Sequence, residues 1–421
     1  MAKRTAVSLF SGCGGFCEGV RLAGFDVQAA VEIDRFASST YRENFPEVPL
    51  FEGDIHAFLN DSHADWTDDE SKRFGHLKDA EVDLLFGGPP CQGYSQIGTR
   101  ILDDPRNELY LQYIRVLKQL RPKVFLMENV PNMLLLAKGR FKREVLEAFA
   151  AAGYTNSGVT VVSAADYGVP QVRRRAIFFG IRDGEDAGGT AEDLIAKFLK
   201  EQERPAPTAW AAIRDLPERT AIHYENLTYP RSSAKSPFLD EMRLDRDGER
   251  YTAVDKVAAQ GVERRMLSNH HTKEIRARRK ALIALLEPGA KGDSLPKDVW
   301  DGLRPEKWRR LPVDRPAYTI LAQMHRDLSE WVHPKFERWI TVREAGRLQS
   351  FHDGFVFYTS EWQMLKQIGN AVPPLLGRAV AASAIEVLDR IDEDATTLDL
   401  GEAELERRST RFETLAVVQR T

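Results

Sequence analysis

Short apolar runs separated by turns and amphipathic stretches mark the first part of the chain. The runs Ala6–Phe10, Val27–Ile33, Val82–Phe86 and Lys123–Met127 are largely continuous in apolar residues, which is typical of buried strands. Stretches with helical periodicity lie between them. This order predicts an α/β fold with a doubly wound, mostly parallel sheet.

Helix signals follow the same rhythm. Two aspartates at 103–104 are placed to cap a helix that starts at Pro105 and stops at Pro122. Near the far end of the chain, Ile340–Leu348 and Leu375–Leu388 have the pattern of further helices of this first domain.

The alternation breaks down from about Gly184 to about Glu337. This stretch is rich in Pro, Arg, His and Trp, has few apolar periods and includes the basic cluster 273–280 (KEIRARRK). We therefore expect a smaller, irregular domain inserted into the first. The predicted segments are a catalytic and cofactor-binding domain at 1–195, the inserted domain at 196–335, a return to the first domain at 336–390, and an acidic tail at 391–421.

Four residues of types that are common in binding and catalytic sites fall just past the ends of predicted strands. They are Gly12, Glu32, Cys91 and Glu128. The carboxyl ends of the strands in an open parallel sheet lie along one edge, where ligands bind. We therefore expect these residues to share one cleft.

Composition narrows the classes. The chain has 421 residues, 43% hydrophobic and 29% charged, which suits two domains of a soluble globular protein. Its apolar runs are too short for a membrane span and its start lacks a signal-peptide layout, so we expect no membrane partner and a cytosolic location. Three cysteines without a C-x-x-C pair favour neither a disulfide framework nor a metal site. The net charge of -4 neither requires nor excludes nucleic acid.

The stretch GGPPCQGYS at 87–95 places one of those cysteines, Cys91, after two prolines in a turn. Glycines there allow another molecule to approach, and the prolines fix the backbone. A presented, reactive thiol is one interpretation. An inert residue is the other, and is the commoner case for a single cysteine.

The turn SGCGGFCEG after the first strand does not match G-x-G-x-x-G, because Cys17 occupies the last glycine position. A diphosphate cofactor is therefore disfavoured. Glu32, twenty residues after Gly12, is well placed to accept hydrogen bonds from ribose hydroxyls. A nucleoside without phosphates, such as S-adenosylmethionine, fits both observations, while a glycine turn kept for packing alone is the alternative.

The charged residues beside two predicted strands can be interpreted either as functional groups or as ordinary surface charges. Glu128 in MENVPNM is either a surface charge or an acid in the cleft. In QVRRR, Arg173 and Arg175 face one side of an extended chain and Arg174 the other. They are either solvated charges or groups that grip phosphate or a base carbonyl.

Taken together, these segments resemble the DNA (cytosine-5)-methyltransferases of bacterial restriction-modification type. The resemblance covers most of residues 5–180 and 314–385, and TAWAAIRDLP at 208–217 and SNH at 268–270 also look like elements of bacterial members. The matching motifs, in order, are LFSGCGG, VEID, GDI, DLLFGGPPCQGYS, ENV, QVRRR, RWITVREAGRLQSF and QIGNAVPP.

The resemblance implies a function and its residues. Methyl transfer from S-adenosylmethionine to carbon 5 of a flipped-out cytosine, in a short specific sequence of double-stranded DNA, would proceed through a covalent bond between Cys91 and carbon 6. Glu128 would be the partner of Cys91 on the base, and Arg173 and Arg175 would position the cytosine and its backbone. The cofactor site would be bordered by Phe10, Gly12, Gly14, Glu32, Asp54, Ile55 and Asn370.

The family pattern also implies an S-adenosylmethionine-dependent methyltransferase fold and makes the inserted domain a target-recognition domain. It suggests a monomer on DNA and a cognate restriction endonuclease in the same cell. This chain departs from the pattern at Ser8, Ile33, Tyr94 and His352.

Three other functions agree less well with the sequence. Methylation of cytosine in tRNA would use the same machinery, but the inserted segment is larger than we expect for such an enzyme. A catalytically silent DNA-binding homologue would have damaged PPC or ENV motifs, and both are intact. A dehydrogenase is disfavoured by the glycine spacing.

Overall fold

A computed structural model describes residues 3–59, 67–90, 109–222, 225–228, 234–244, 266–299, 308–322 and 330–394. Cys91, Tyr94 and the helix start predicted at 103–105 lie outside these ranges, as does the tail beyond Asp394.

Seven strands in the described ranges form one sheet, in the order β3-β2-β1-β4-β5-β7-β6. Strands β1 to β5 pair in parallel, and β7 runs antiparallel to both of its neighbours. The α/β class and the mostly parallel sheet are confirmed. The strands are β1 Thr5–Leu9, β2 Asp26–Glu32, β3 Leu50–Glu52, β4 Leu84–Gly87, β5 Val124–Asn129, β6 Asn156–Ser163 and β7 Arg174–Ile181.

The reversal of β7 is the feature that the strand and helix rhythm did not predict. Its register pairs Glu128 with Ile177 and Asn129 with Ala176. The start of β7 therefore lies beside the carboxyl end of β5. This brings the arginines of QVRRR to the same sheet edge as Glu128.

Side chains of the central strands alternate between two hydrophobic clusters, one on each face of the sheet. In β5, Val124 and Leu126 enter one cluster, and Phe125 and Met127 enter the other. The first cluster contains residues of α1, α6 and the helix at 374–394, and the second contains residues of α4 and α5. The sheet is therefore covered on both faces, which explains why its strands are almost wholly apolar.

Several helices begin or end where side chains or glycine cap the backbone. Asp34 accepts hydrogen bonds from the backbone N–H groups of Phe36 and Ala37 at the start of α2, and Gly24 ends α1 at φ 112°. The helices are α1 Gly15–Ala23, α2 Arg35–Asn44, α3 Asp68–Phe74, α4 Leu109–Leu120, α5 Arg140–Ala150, α6 Ala191–Glu201, α7 Ala209–Ile213, α8 Pro237–Met242, α9 Ala277–Ala284, α10 Val342–Leu348, α11 Glu361–Asn370 and α12 374–394.

The predicted inserted region contains short elements in its described parts. Two strand pairs, β8 Leu227–Thr228 with β9 Met266–Leu267 and β10 Trp308–Arg310 with β11 Glu330–Val332, lie there. A small cluster that includes Trp308 and Trp339 packs under α9. Helix α6 spans the predicted boundary at 195, and the division into domains stays a prediction.

The segment Glu361–Asp394 is long and apolar enough to cross a membrane by composition. Most of its apolar window is buried inside the fold, and the chain leaves helical conformation between α11 and α12. It is therefore the core helical segment that covers one face of the sheet.

Candidate active site

The glycine turn after β1 is locked to the end of β2 by one carboxylate. Glu32 accepts hydrogen bonds from the backbone N–H groups of Gly12 at 2.7 Å, Asp34 at 2.8 Å and Ile33 at 3.0 Å. Burial raises the pKa of Glu32, while these backbone donors oppose that shift. Among the described residues, Oε2 accepts from the N–H of Gly12 alone, so this oxygen can still accept a hydroxyl hydrogen.

The turn itself needs glycine at two positions. Gly12 has φ 57° and Gly14 has φ 100°, and a Cβ at Gly14 would collide with the ring of Phe45. Phe10 adopts φ 53° and packs partly against the hydrophobic core. The turn thus holds a backbone conformation that L side chains rarely adopt, directly above Glu32.

Asp54 and Ile55, of the GDI motif, differ in exposure. Ile55 is buried, and its carbonyl accepts from Arg115 at 2.6 Å. The Asp54 side chain is 57% exposed and binds the backbone N–H and the ring Nδ1 of His56 at 3.0 and 2.6 Å. These hydrogen bonds from His56 lower the pKa of Asp54. Ile33 adds an apolar surface that is 68% exposed beside Glu32.

The QIGNAVPP segment closes against the glycine turn. Cβ atoms at Gly15 and Gly19 would come within 2.5 Å of the carbonyl oxygens of Val372 and Pro374. Glycine is therefore required at both positions for helix α1 to approach this closely. Asn370, the last residue of α11, is exposed.

The charged pair at the end of β5 is Glu128 with Arg175. Arg175 Nε lies 2.5 Å from Glu128 Oε1, and both side chains are largely buried, at 13% and 12% exposure. A Cβ at Gly88 would lie 2.9 Å from Glu128 Oε2, so the backbone after β4 passes directly against the carboxylate. Arg174 between the arginines is exposed, as the alternation predicts.

The backbone that leads to Cys91 is held to the same strand end. Asn129 Nδ2 donates to the carbonyl of Pro89 at 3.1 Å, and Asn129 Oδ1 accepts from the N–H of Val130 at 2.8 Å. The chain therefore reaches Pro90, one residue before Cys91, at the sheet edge beside Glu128.

The other two cysteines are in the core. Cys13 and Cys17 are 2% and 0% exposed, and burial raises their pKa values to about 12 and about 11. Thiols of this kind stay protonated at neutral pH and are poor nucleophiles.

Arg173 lies apart from the surface of the cleft. It is 2% exposed, and its guanidinium donates to the carbonyls of Ile320, Gly369 and Ala371 at 3.0 to 3.1 Å. Burial and the neighbouring charge of Arg175 lower its pKa. Its predicted role on the cytosine stays a prediction, and these contacts support an indirect one.

A family model for C-5 cytosine-specific DNA methylases matches residues 4–386. The chain belongs to this family. The methylase is also 34% identical to the type II methyltransferase M.XorII of Xanthomonas oryzae pv. oryzae, over 96% of this chain and 90% of that protein. Its identity to the type II methyltransferase M.AgeI of Thalassovita gelatinovora is 32%, over 89% and 97%.

A solved structure supports the same fold. The methylase resembles an E. coli prophage protein assigned as a DNA modification methyltransferase, with a TM-score of 0.71 and 27% identity over 92% of this chain and 99% of that one. These comparisons confirm the family, the enzyme class and the methyltransferase fold that the sequence predicted. They also confirm the resemblance to methyltransferases of restriction-modification type.

The methylase also contains buried polar contacts that the motifs did not reveal. His352 lies 3.2 Å from Glu18 of α1, and this contact and Arg21 hold the pKa of Glu18 at about 2 although burial opposes ionisation. Gln171 and Gln349 are fully buried and hydrogen-bonded to each other. The glutamines lie inside recognised motifs, but their partners come from distant segments, so no local pattern identifies them.

Proposed function

We propose that this methylase transfers a methyl group from S-adenosylmethionine to carbon 5 of a flipped-out cytosine in a specific short duplex DNA sequence. The observation that carries the proposal is the Glu128–Arg175 pair, which meets the backbone leading to Cys91 at the sheet edge that also holds Glu32 and Gly12. A base held there would lie between a nucleophile and a nucleoside site.

Cys91 is the proposed nucleophile. Carbon 5 of cytosine is too weakly nucleophilic to accept a methyl group unaided. Addition of the Cys91 thiolate to carbon 6 forms a carbon–sulfur bond and makes the ring an enamine whose carbon 5 is electron-rich. The buried state of Cys13 and Cys17 leaves Cys91 as the candidate among the three cysteines of the chain.

Glu128 and Arg175 would handle the charge that this addition creates. Glu128 would hold a proton shared with ring nitrogen 3, so that the base does not become a full anion. Arg175 would orient Glu128 through the observed contact and bind the carbonyl at carbon 2 of the base. Loss of the carbon 5 proton to a base, followed by elimination of the thiolate, restores the aromatic ring and frees Cys91.

The residues present fit S-adenosylmethionine. Glu32 keeps an acceptor direction for a ribose hydroxyl, the glycine turn provides room, and Ile33 offers apolar surface to an adenine ring. When bound, the cofactor supplies an electrophilic methyl group on a sulfonium. The residues that would border it are Phe10, Gly12, Gly14, Glu32, Asp54, Ile55 and Asn370.

The DNA must deform for this chemistry. A cytosine inside a duplex is inaccessible, so the target base is rotated out of the stack at a cost of about a few kcal/mol, repaid by pocket and phosphate contacts. Residues 196–335 would choose the sequence. By analogy with type II relatives we propose a monomer on DNA in the cytosol and a cognate restriction endonuclease in the same cell.

The test is transfer of label from S-adenosylmethionine to unmethylated plasmid DNA and to bulk tRNA, followed by mapping of 5-methylcytosine at base resolution. Cys91→Ala is the test variant, and Cys17→Ala the matched control. We expect label in DNA at one recurring short sequence, lost only with Cys91→Ala. Label in tRNA alone would support the tRNA function instead, and no label from folded protein that binds DNA would support a silent homologue.

A further inference from the structure

Three polar side chains are buried in the core next to the Arg175 strand: Gln171, Arg173 and Gln349. We call them the buried polar cluster. The first two precede β7, and Gln349 follows α10. Their hydrogen bonds to other described residues go to backbone amide and carbonyl groups and to one another. Because buried polar groups are costly unless hydrogen-bonded, their partners indicate what the cluster holds together.

Gln171 binds in two directions. Its Oε1 accepts from the backbone N–H of Ile320 at 2.8 Å, and its Nε2 donates to Gln349 Oε1 and to the carbonyl of Leu348. Arg173 also reaches Ile320, donating to its carbonyl at 3.0 Å. The backbone N–H and the carbonyl of Ile320 are thus bound by Gln171 and Arg173, which are two residues apart in sequence.

Gln349 and Arg173 share a second target, the C-terminal end of α11, which carries Asn370. Gln349 Nε2 donates to the carbonyl of Ala371 at 2.8 Å, and Arg173 donates to the same oxygen at 3.1 Å. Arg173 also donates to Gly369 at 3.0 Å. The carbonyl groups on both sides of Asn370 are therefore fixed by one guanidinium.

The segment 317–322 is wedged between these two attachments. The N–H of Val172 donates to the carbonyl of Ala317 at 2.8 Å, and Thr319 Oγ1 donates to the carbonyl of Val172 at 2.7 Å. On the other side, a Cβ at Gly369 would collide with the backbone of Leu321. The fit is close enough that a shift of 317–322 moves both neighbours.

We infer that Gln171, Arg173 and Gln349 are positioning residues of the reaction. They fix the segment 317–322, which belongs to the predicted target-recognition domain, against both the strand that carries Arg175 and the end of α11 that carries Asn370. This inference rests on the proposed function. Arg173 acts through Arg175 and Asn370 rather than by contact with DNA.

The consequence for chemistry is geometric. Arg175 follows Arg173 by two residues and must stay within hydrogen-bond reach of Glu128. A displacement of about 1 Å in a catalytic group costs about 100-fold in rate. Weakening the cluster should therefore reduce turnover while DNA and cofactor still bind.

The experiment uses Arg173→Lys and Gln349→Leu in the full chain, with Arg174→Lys as the matched exposed control and Thr319→Val as a mild third variant. Thr319 is a surface hydroxyl whose loss leaves the core intact, so this variant keeps the test decisive if the others unfold. Steady-state methylation gives kcat and KM. A second readout is release of tritium from DNA labelled at carbon 5 of cytosine, which reports Cys91 addition, and a third is the salt dependence of DNA binding.

We expect kcat and tritium release to fall together, by about 100-fold for Arg173→Lys and Gln349→Leu and several-fold for Thr319→Val. The salt slope should match that of wild type. An Arg173→Lys enzyme with wild-type kcat would overturn the inference. An Arg173→Gln enzyme, which lacks the charge that lysine keeps, would do the same if its salt slope fell by about 0.9, as for a lost phosphate contact. So would wild-type kcat in Thr319→Val. A wild-type enzyme that methylates no DNA would overturn the proposed function, and the inference with it.

Discussion

The proposed cofactor half and the proposed base half of the site are built in different ways. In the cofactor half, Glu32 meets backbone N–H groups of residues at most 20 positions away. In the base half, Glu128 meets the side chain of Arg175, and neighbouring Arg173 depends on carbonyls 147 to 198 positions away. The cofactor half is held by backbone groups close in sequence. The base half is held by long side chains whose partners are distant in sequence.

We propose that this difference separates cofactor binding from chemistry on the base. A carboxylate held by backbone donors is rigid and suits recognition of a constant ligand. A charged pair held by side chains can respond to a base that arrives with the DNA. We therefore expect substitutions in the cofactor half to change cofactor affinity, and substitutions in the base half to change kcat.

The largest effect should come from Glu128→Gln. The amide cannot share a proton with ring nitrogen 3 in the same way, so kcat should fall by about 10²-fold to 10⁴-fold. The cofactor dissociation constant, measured by calorimetry, should stay at its wild-type value. Glu147→Gln, on the exposed side of α5, is the control. A weaker cofactor affinity with unchanged kcat would remove the distinction between the two halves.

Gly88→Ala should give the next largest effect. Its methyl group would lie 2.9 Å from Glu128 Oε2, so the carboxylate that contacts Arg175 would have to shift. We expect kcat to fall by about 10-fold to 100-fold. Gly75→Ala is the matched control, because a Cβ there meets no atom within 4 Å. Equal kcat values for the two variants would mean that the fit around Glu128 is unimportant.

Glu32→Gln should act on the other half. A hydrogen bond to a charged group is worth about 1.5–3 kcal/mol, so cofactor should bind about 10-fold to 100-fold more weakly. At saturating cofactor, kcat should approach that of wild type. Titration of cofactor against initial rate measures both quantities, and a loss confined to kcat would contradict the assignment.

The smallest effect on catalysis should come from Glu18→Gln, behind the cofactor turn. The folded-state pKa of Glu18 is about 2, below its ordinary value of 4.5. Its ionised form therefore stabilises the fold above about pH 4.5, and that contribution is lost as the pH falls towards 2. We expect a difference in unfolding free energy on the order of 3 kcal/mol at pH 7.

Urea unfolding at pH 7 and at progressively lower pH checks the Glu18 prediction. The difference between wild type and Glu18→Gln should shrink as the pH falls, while kcat at pH 7 stays close to wild type. A difference that does not depend on pH would show that Glu18 stabilises the fold by packing alone.

Features that depend on local sequence, as in the proposed cofactor half, could be predicted, whereas those that depend on distant contacts, as in the proposed base half, could not. The strands β1, β2, β4 and β5, and the position of Gly12 and Glu32 at one edge of the sheet, were predictable because they depend on apolar runs and short spacings.

The reversed direction of β7 was not predictable, because strand pattern carries no sign of direction. Nor was the buried position of Arg173. Its spacing from Arg175 predicted a shared face, but whether that face meets solvent depends on Ile320 and Ala371, which are distant in sequence. Charged residues in a motif therefore indicate that a functional site is near. They do not show which of the side chains reach its surface.

The most direct test of the central claim is to trap the proposed bond. A duplex carrying the mapped target sequence with 5-fluorocytosine at the target has fluorine where carbon 5 normally loses a proton, so elimination of the thiolate is blocked after methyl transfer. Mass spectrometry should then show one protein–DNA adduct that includes an added methyl group, with the bond at Cys91. Failure to form an adduct with active enzyme and cofactor, or an adduct at Cys13 or Cys17, would contradict the account.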